Sequence, residues 1–127
     1  MSEPVYKICD ETQFLEAKAK GRFEGSRDDI RDGFIHLSAG RQVAGTLATH
    51  FAGCEGLVLL TVDADRLGEG LRWERSRGGD LFPHLYGPLH FDHVTSAEPL
   101  RLGADGRHIL PPVLSPLPSG EREKVSP

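Results

Sequence analysis

The chain is expected to fold as a compact single α+β domain: a split, mixed but largely antiparallel sheet carrying two main helices. Three observations predict it. Leu57 to Val62 is apolar apart from Thr61, which suits a central strand covered on both faces. Two segments, Asp10 to Lys20 and Ala39 to Phe51, carry the start, stop and spacing signals of helices. From Leu71 onward short strands follow one another through glycine-containing links, which favours antiparallel neighbours.

Taken in order, Pro4 to Cys9 reads as the first strand, with Tyr6 and Ile8 on one face and Val5, Lys7 and Cys9 on the other. Asp10 followed by Gln13 makes a capping box for a helix through about Lys20, closed by Gly21. Phe14, Leu15 and Ala19 are its expected buried side, and Lys18 runs its stem along the same arc. From Gly21 to Gly33 the composition turns polar, which predicts an irregular, flexible surface segment with room for one helical turn. Gly33 to Ser38 then reads as a strand entering a helix over Ala39 to Phe51, with Ser38 placed to cap it. In the strand Ile35 and Leu37 point together, opposite Phe34, His36 and Ser38. Val43, Ala44, Leu47, Ala48 and Phe51 mark the buried side of the helix, and Gly53 ends it.

Leu71 to Arg75 is the next strand after the central one, followed by the link Arg77-Gly78-Gly79-Asp80. Asp92 to Ala97 and Pro99 to Leu102 are expected as late strands, with Asp105-Gly106 a hairpin-type turn into Arg107 to Leu110. Residues 1–114 make up the expected domain. Prolines at 111, 112, 116, 118 and 127 among serines and charges predict a mobile, disordered C-terminal tail over 115–127.

Composition excludes several function classes. A chain of 127 residues with 38% hydrophobic content has enough material for one core, and typically buries roughly two thirds of its unfolded surface. Fifteen Lys and Arg against nineteen Asp and Glu give a net charge of −4, which argues against nucleic acid or anionic membrane as the main partner. No apolar run approaches the roughly 18 residues that span a bilayer, and Met1-Ser2-Glu3-Pro4 carries no secretion pattern, so cytoplasm is the expected location. Cys9 and Cys54 lack a C-x-x-C pattern and read as buried small hydrophobes. Neither a P-loop, a dinucleotide glycine fingerprint nor a nucleophile elbow is present, and nothing fixes an oligomeric state.

The densest chemistry lies in Phe82-Pro83-His84-Leu85-Tyr86-Gly87-Pro88-Leu89. Its prolines hold a loop in which Phe82 and Gly87 are extended or turning and His84 and Tyr86 are presented. If the first two strands pair, Lys7 and His36 line one cleft; the opposing reading is a hydrogen-bonded core His36 and a Lys7 that snorkels to water. Ser38 at a helix start offers amides and a positive dipole end that suit a phosphate or carboxylate, or serves only as a cap. In Arg72-Trp73-Glu74-Arg75-Ser76-Arg77, alternation groups Arg72 with Glu74 and Trp73 with Arg75. That cluster is either a solvated face with an Arg72–Glu74 ion pair, or a site where Trp73 or Tyr86 stacks on a ring while Arg75 or Arg77 holds an anion. His84, His90 and His93 do not make a metal set, because odd spacing in extended chain sends His90 and His93 to opposite faces. An imidazole ordinarily titrates at about pH 6.5, which makes His36 and His84 the candidate acid or base.

Lys7 in Val-Tyr-Lys-Ile, Asp32-Gly33-Phe34-Ile35-His36-Leu37-Ser38, Trp73-Glu74 and Phe82 to Leu89 together resemble the bacterial family called domain of unknown function 952, over roughly residues 4–114. That family in turn resembles the ADP-ribosylation superfamily, whose fold is a compact α+β arrangement with a split sheet around a nucleotide cleft. The resemblance implies a first-strand polar residue at Lys7, a second-strand position near His36 and Ser38, and NAD or a related nucleotide as the candidate cofactor. A late-strand glutamate, which orients the ribose hydroxyl in such enzymes, is missing where Gly87-Pro88-Leu89-His90 stands. Lys7, His36 and Arg75 also echo the RNA 2′-phosphotransferases of that superfamily.

The expectation is therefore a small α+β protein with a cleft for a nucleotide-like or phosphorylated small molecule, as in a degenerate NAD- or ADP-ribose-related transferase. His36, His84 and Glu74 are its candidate catalytic residues, and Lys7, Ser38, Trp73, Arg75 and Tyr86 its candidate ligand-binding residues. The alternative is a non-catalytic binding or protein-interaction module in which these residues are structural.

Overall fold

Two strands that are buried on both faces lie at the centre of the molecule, β1 (Val5–Asp10) and β5 (Leu57–Val62). The computed structural model describes residues 3–114; the tail expected over 115–127 lies outside them. β1 and β5 pair antiparallel from Val5↔Val62 to Asp10↔Leu57. β4 (Ser38–Ala39) and β9 (Val94–Leu100) flank them in the order β4-β1-β5-β9. A three-stranded sheet, β3 (Ile35–His36), β7 (Leu81–Leu85) and β6 (Leu71–Arg75), packs beside it, and β2 (Arg22–Phe23) pairs with β8 (Leu89–His90). All the ladders between these strands are antiparallel, so the split α+β sheet stands while its expected mixed character does not.

Alternation divides the core. Val5, Cys9, Val58, Leu60 and Val62 face a cluster completed by Ala17, Phe23, Ile35, Leu37, Leu85 and Leu89, while Tyr6, Ile8, Leu57 and Leu59 face one with Val43, Leu47 and Leu100. Burial pushes the Cys9 thiol up to about 12, so it behaves as a small apolar side chain; Cys54, expected to be buried, is exposed.

Helix α1 (Glu11–Lys20) has the expected Asp10/Gln13 capping box and a left-handed Gly21 at its end. Its buried side is Phe14 and Ala17; Leu15 is 60% exposed and Ala19 and Lys18 face water. The helix touches the sheet along a seam too narrow for the wider arc. In α3 (Val43–His50) Val43 and Leu47 are buried, whereas Ala44 and Ala48 are exposed because the helix meets the core on one edge only. Ser38 does not cap it. It is buried in β4 opposite Tyr6, and a 3-10 turn, Gly40–Gln42, starts the helix after Gln42 Oε1 accepts from the Ala39 amide. Late in the chain one strand, β9, replaces the two expected and carries Pro99 at the sheet edge, where a missing N–H is tolerated. The Asp105-Gly106 turn closes on a Leu102↔His108 bridge.

The largest departure is in residues 21–33. Instead of an irregular flexible segment, Ser26 caps α2 (Arg27–Asp32) through a box with Asp29, and Gly33 ends it with a φ of 87° that favours glycine. Asp29 is buried, and four nitrogen donors converge on its carboxylate: Lys7 Nζ at 2.9 Å, Ser26 N at 2.8 Å, His36 N at 3.0 Å and His36 Nδ1 at 2.6 Å. Lys7 is 5% exposed, also donates to the His36 carbonyl at 3.1 Å, and lies over the Phe23 ring. Lys7 therefore neither snorkels nor lines an open cleft. Burial by itself pushes the Asp29 carboxyl up, but the His36 hydrogen bonds and the Lys7 charge outweigh it and hold the group well below the carboxylate range. Among the described residues no helix is long and apolar enough to cross a membrane.

Three outcomes are expected. Asp29→Asn leaves the Lys7 ammonium buried without a counter-charge and is expected to cost about 3–5 kcal/mol in urea denaturation at pH 7. Because the folded Asp29 is more acidic than an unfolded aspartate of about pH 3.9, its stabilisation is complete above that value and fades as the pH falls further. Wild type should thus lose stability between roughly pH 5 and pH 2 by more than Asp29→Asn loses; equal slopes would remove the ion pair from its central place. Gly70→Ala would bring a Cβ within 3.0 Å of the Tyr86 carbonyl oxygen and 3.3 Å of Leu85 Cδ1. It is expected to destabilise by about 1–3 kcal/mol and to shift the Tyr86 amide resonance, since Tyr86 N donates to the Gly70 carbonyl.

Candidate functional site

Register decides which side chains of the three-stranded sheet meet. His36↔His84 and Arg72↔His84 are opposite pairs, so His36, His84, Arg72 and Glu74 share one face, together with Phe34 and Tyr86 from the strand ends. Ile35, Leu71, Trp73 and Leu85 share the other, where Ile35, Leu71 and Leu85 pack on the core. The prolines expected to hold a loop do not prevent a strand: Leu81–Leu85 is extended, and the Pro83 carbonyl accepts from Leu37 N. A strand residue's N and C=O project to the same edge, so the missing donor of Pro83 falls beyond the short β3 and not on the ladder to β6. The bend follows the strand at Tyr86 and Gly87.

On the first face the rings are layered. Phe34 stacks on His84 with centroids 4.0 Å apart and planes at 24°, and tilts against His36 at 4.7 Å and Tyr86 at 5.4 Å; His36 and His84 meet edge-on at 5.7 Å. Arg72 lies over the Tyr86 ring at 5.2 Å. Each imidazole has a carboxylate. Glu74 Oε1 lies 2.8 Å from His84 Nδ1 and accepts from the Tyr86 hydroxyl at 2.8 Å, and these two bonds hold the Glu74 carboxyl below its usual range. The bond to Glu74 in turn raises Tyr86. His36 lies between Asp29 at Nδ1 and Asp32 Oδ2 at Nε2, 2.9 Å away. Ionised carboxylates only accept, so both bonds are complete when this ring carries both protons. Beside the stack a cavity of about 330 Å³ is lined by Phe34, Gly87, Pro88, Ile30, Glu24 and Asp29.

The single cleft expected from the sequence divides. The structure brings together His36, Glu74, His84 and Tyr86. His84 is only 5% exposed, not presented on a loop, whereas Tyr86 is 40% exposed. Lys7 lies beneath the face, consumed by Asp29 and the His36 carbonyl. Ser38 is buried with its hydroxyl 3.3 Å from Thr46 Oγ1. Trp73 is on the opposite side of the sheet, and Arg75 donates to the Gly79 carbonyl at 2.7 Å within its own hairpin. No Arg72–Glu74 ion pair is formed among the described residues; Arg72 turns to Tyr86 instead. Asp29, Asp32, Phe34 and Arg72 join the site without having been singled out for it. The Ser26-x-x-Asp29 spacing before Gly33 was the available signal for the first of these.

His90 and His93 also depart from expectation. A 3-10 turn, Phe91–His93, interrupts the extended chain, and their rings meet edge-on at 5.8 Å and not on opposite faces. Among the described residues no group of three or more His, Cys, Asp or Glu side chains is placed to hold a metal ion.

No curated protein matches the chain. Among the solved structures that match it are two of the same protein. The X-ray structure of protein CC0527 from Caulobacter crescentus is 53% identical, covers 88% of this chain and 98% of its own, and superposes with a TM-score of 0.84. The solution NMR structure of CC0527 is 48% identical over 97% of this chain and 98% of its own, with a TM-score of 0.77. The pattern of the family described as "Protein of unknown function (DUF952)" matches residues 8–97, a span that holds the histidine face and its carboxylates. The chain belongs to that family.

Proposed function

We propose that the polar face of the β3-β7-β6 sheet binds a nucleotide-like or phosphorylated small molecule. The observation that carries this reading is the ring stack of Phe34, His84 and Tyr86 beneath the Arg72 guanidinium. A half-buried aromatic surface accepts a planar base, and a guanidinium beside it suits a phosphate. The neighbouring cavity is near the lower end of the size range for small-molecule sites.

In this reading His84 is the acid or base. Glu74 holds its Nδ1, which leaves Nε2 as the atom that exchanges a proton with a ligand, and Glu74 acts as the orienting carboxylate. His36, held between Asp29 and Asp32, contributes shape to this face. Where the resemblance to the ADP-ribosylation superfamily seeks a glutamate, Leu89 is buried opposite Phe23. Glu74 is the carboxylate nearest the stack, on an earlier strand, so ligands of the NAD or ADP-ribose type are proposed with a degenerate transferase chemistry. The burial of His84 favours a second reading, in which the same residues form a non-catalytic binding module.

Titration with NAD, ADP-ribose, nucleoside monophosphates and inorganic phosphate, followed by NMR and thermal shift, separates the readings. Binding on this face should move the Tyr86, His84 and Phe34 resonances saturably. His84→Asn, whose amide nitrogen replaces Nδ1 as donor to Glu74, should abolish any turnover while costing about 1–2 kcal/mol of stability. Arg72→Ala should weaken phosphorylated ligands about tenfold and leave nucleosides unaffected. No shift on this face at millimolar ligand would sink the nucleotide reading; saturable binding with no turnover would select the module.

A further inference from the structure

β6 is the last strand of its sheet, so one of its edges faces away from β7. The register decides which groups lie on that edge. The Pro83 carbonyl accepts from Leu37 N, so Pro83 turns its backbone toward the β3 side, and Trp73, directly opposite, turns its own away from β7. The bonds from Tyr86 N to the Gly70 carbonyl and from Ser76 N to the Asp80 carbonyl belong to the same alternation. Leu71, Trp73 and Arg75 therefore direct their backbone groups outward. Leu71 N donates to the Gly68 carbonyl where the strand starts. Among the described residues, the Leu71 carbonyl and both groups of Trp73 and Arg75 enter no ladder or turn bond.

The sequence of β6, Leu71-Arg72-Trp73-Glu74-Arg75, is complementary to itself when a second copy lies antiparallel along this edge. With Trp73 opposite the partner's Trp73, the two exchange N–H and C=O, and the partner's Arg75 N reaches the Leu71 carbonyl. Arg72 then stands opposite the partner's Glu74, and Glu74 opposite the partner's Arg72, in the pairs that hold side chains closest. The neighbouring registers fail. Outward groups must meet outward groups, so the next slip in either direction sets Arg72 against the partner's Arg72 or Glu74 against the partner's Glu74. The contact of Arg72 with the Tyr86 ring uses its charge and not its N–H donors. Glu74 meets both His84 and Tyr86 through Oε1, so the partner's Arg72 is placed for Oε2. On the other face of the hairpin Trp73 and Leu81, 45% and 43% exposed, form an apolar margin that a second Trp73 would cover.

We propose that β6 is a self-association edge, along which a second copy of this chain pairs antiparallel and joins two three-stranded sheets into one. The two-fold axis passes between the Trp73 residues, so the contact closes on a dimer and does not propagate into a fibre. Each copy contributes Arg72 to its partner's histidine face, beside Glu74. One short strand from each copy makes this a weak, low-area association. The pairing is independent of the nucleotide reading, since neither ligand nor turnover enters it.

Sedimentation equilibrium and NMR of the full chain from micromolar to millimolar concentration test it. The mass should rise from monomer toward dimer, and the Trp73 and Arg75 amides should shift and gain exchange protection over the same range. Arg72→Glu and Glu74→Arg should each weaken self-association at least about tenfold, because each sets like charges opposite one another. Mixed together, the two variants restore opposite charges and should form a heterodimer of wild-type strength. Should either fail to fold by circular dichroism, Arg75→Pro removes an outward donor that β7 does not use, and should weaken the dimer with the hairpin intact. The proposal is overturned by a monomer at millimolar concentration, by shifts centred away from β6, by association that Arg72→Glu leaves unchanged, or by the lack of a mixed dimer from folded variants. Protection of the Trp73 and Arg75 amides that does not vary with concentration, as another segment of the same chain on this edge would give, overturns it as well.

Discussion

The buried bond between Lys7 and Asp29 is the constraint on which the rest of the molecule depends. Each ion costs several kcal/mol to remove from water, and the pair is tolerable only because the remaining hydrogen-bonding capacity of the carboxylate is filled. Ser26 N, His36 N and His36 Nδ1 fill it. The same bonds explain why α2 exists. Six residues are too few to hold a helix by propensity, so its stability must come from what its buried side touches, and Asp29 is its one buried residue. Capping box, ion pair and strand anchor are one carboxylate.

That anchor sets the geometry of the histidine face. β3 has only two residues, and both backbone groups of His36 turn to the ion pair: its N–H to Asp29 and its C=O to Lys7. They therefore turn away from β7, so His36 and His84 oppose each other without exchanging backbone bonds. In antiparallel sheets such pairs bring their side chains closest. The edge-on contact of the two imidazoles and the insertion of Phe34 between His36, His84 and Tyr86 follow from that spacing. The polar face is thus held by groups that never reach its surface.

What could be read from the sequence was what neighbouring residues decide. The Asp10/Gln13 box, the Gly21 stop, the burial of β5 on both faces and the alternation of β1 depend on residues within one turn or one strand. Asp29 could not be read in the same way. Asp28-Asp29 looks like a solvated pair, and only a lysine 22 residues away makes one of them a core group. Pro83 misled for a related reason: its cost depends on which edge its nitrogen faces, and that is fixed by where β3 ends. Of the candidate site, His36, Glu74, His84 and Tyr86 were visible as residue types; their separation from Trp73 and Arg75 needed the pairing of β6 with β7.

That separation carries the last physical point. Trp73 and Glu74 are adjacent in sequence, yet a strand sends adjacent side chains to opposite faces, so the pair cannot serve one ligand. Glu74 belongs with two imidazoles and a phenol, whereas Trp73 lines a separate cavity with Pro4, Ala64 and Leu71. A cluster that looks like one aromatic-and-charge motif in the sequence is therefore two half-motifs, each completed by distant chain. β6 is the shared wall between them, and its hairpin with β7, tied by Arg75 to Gly79 and by Ser76 to Asp80, fixes both faces at once. A change that shifts this hairpin's register by one residue would exchange the faces and dismantle the histidine face, whereas a change in the side chains of one face alone leaves the other surface in place.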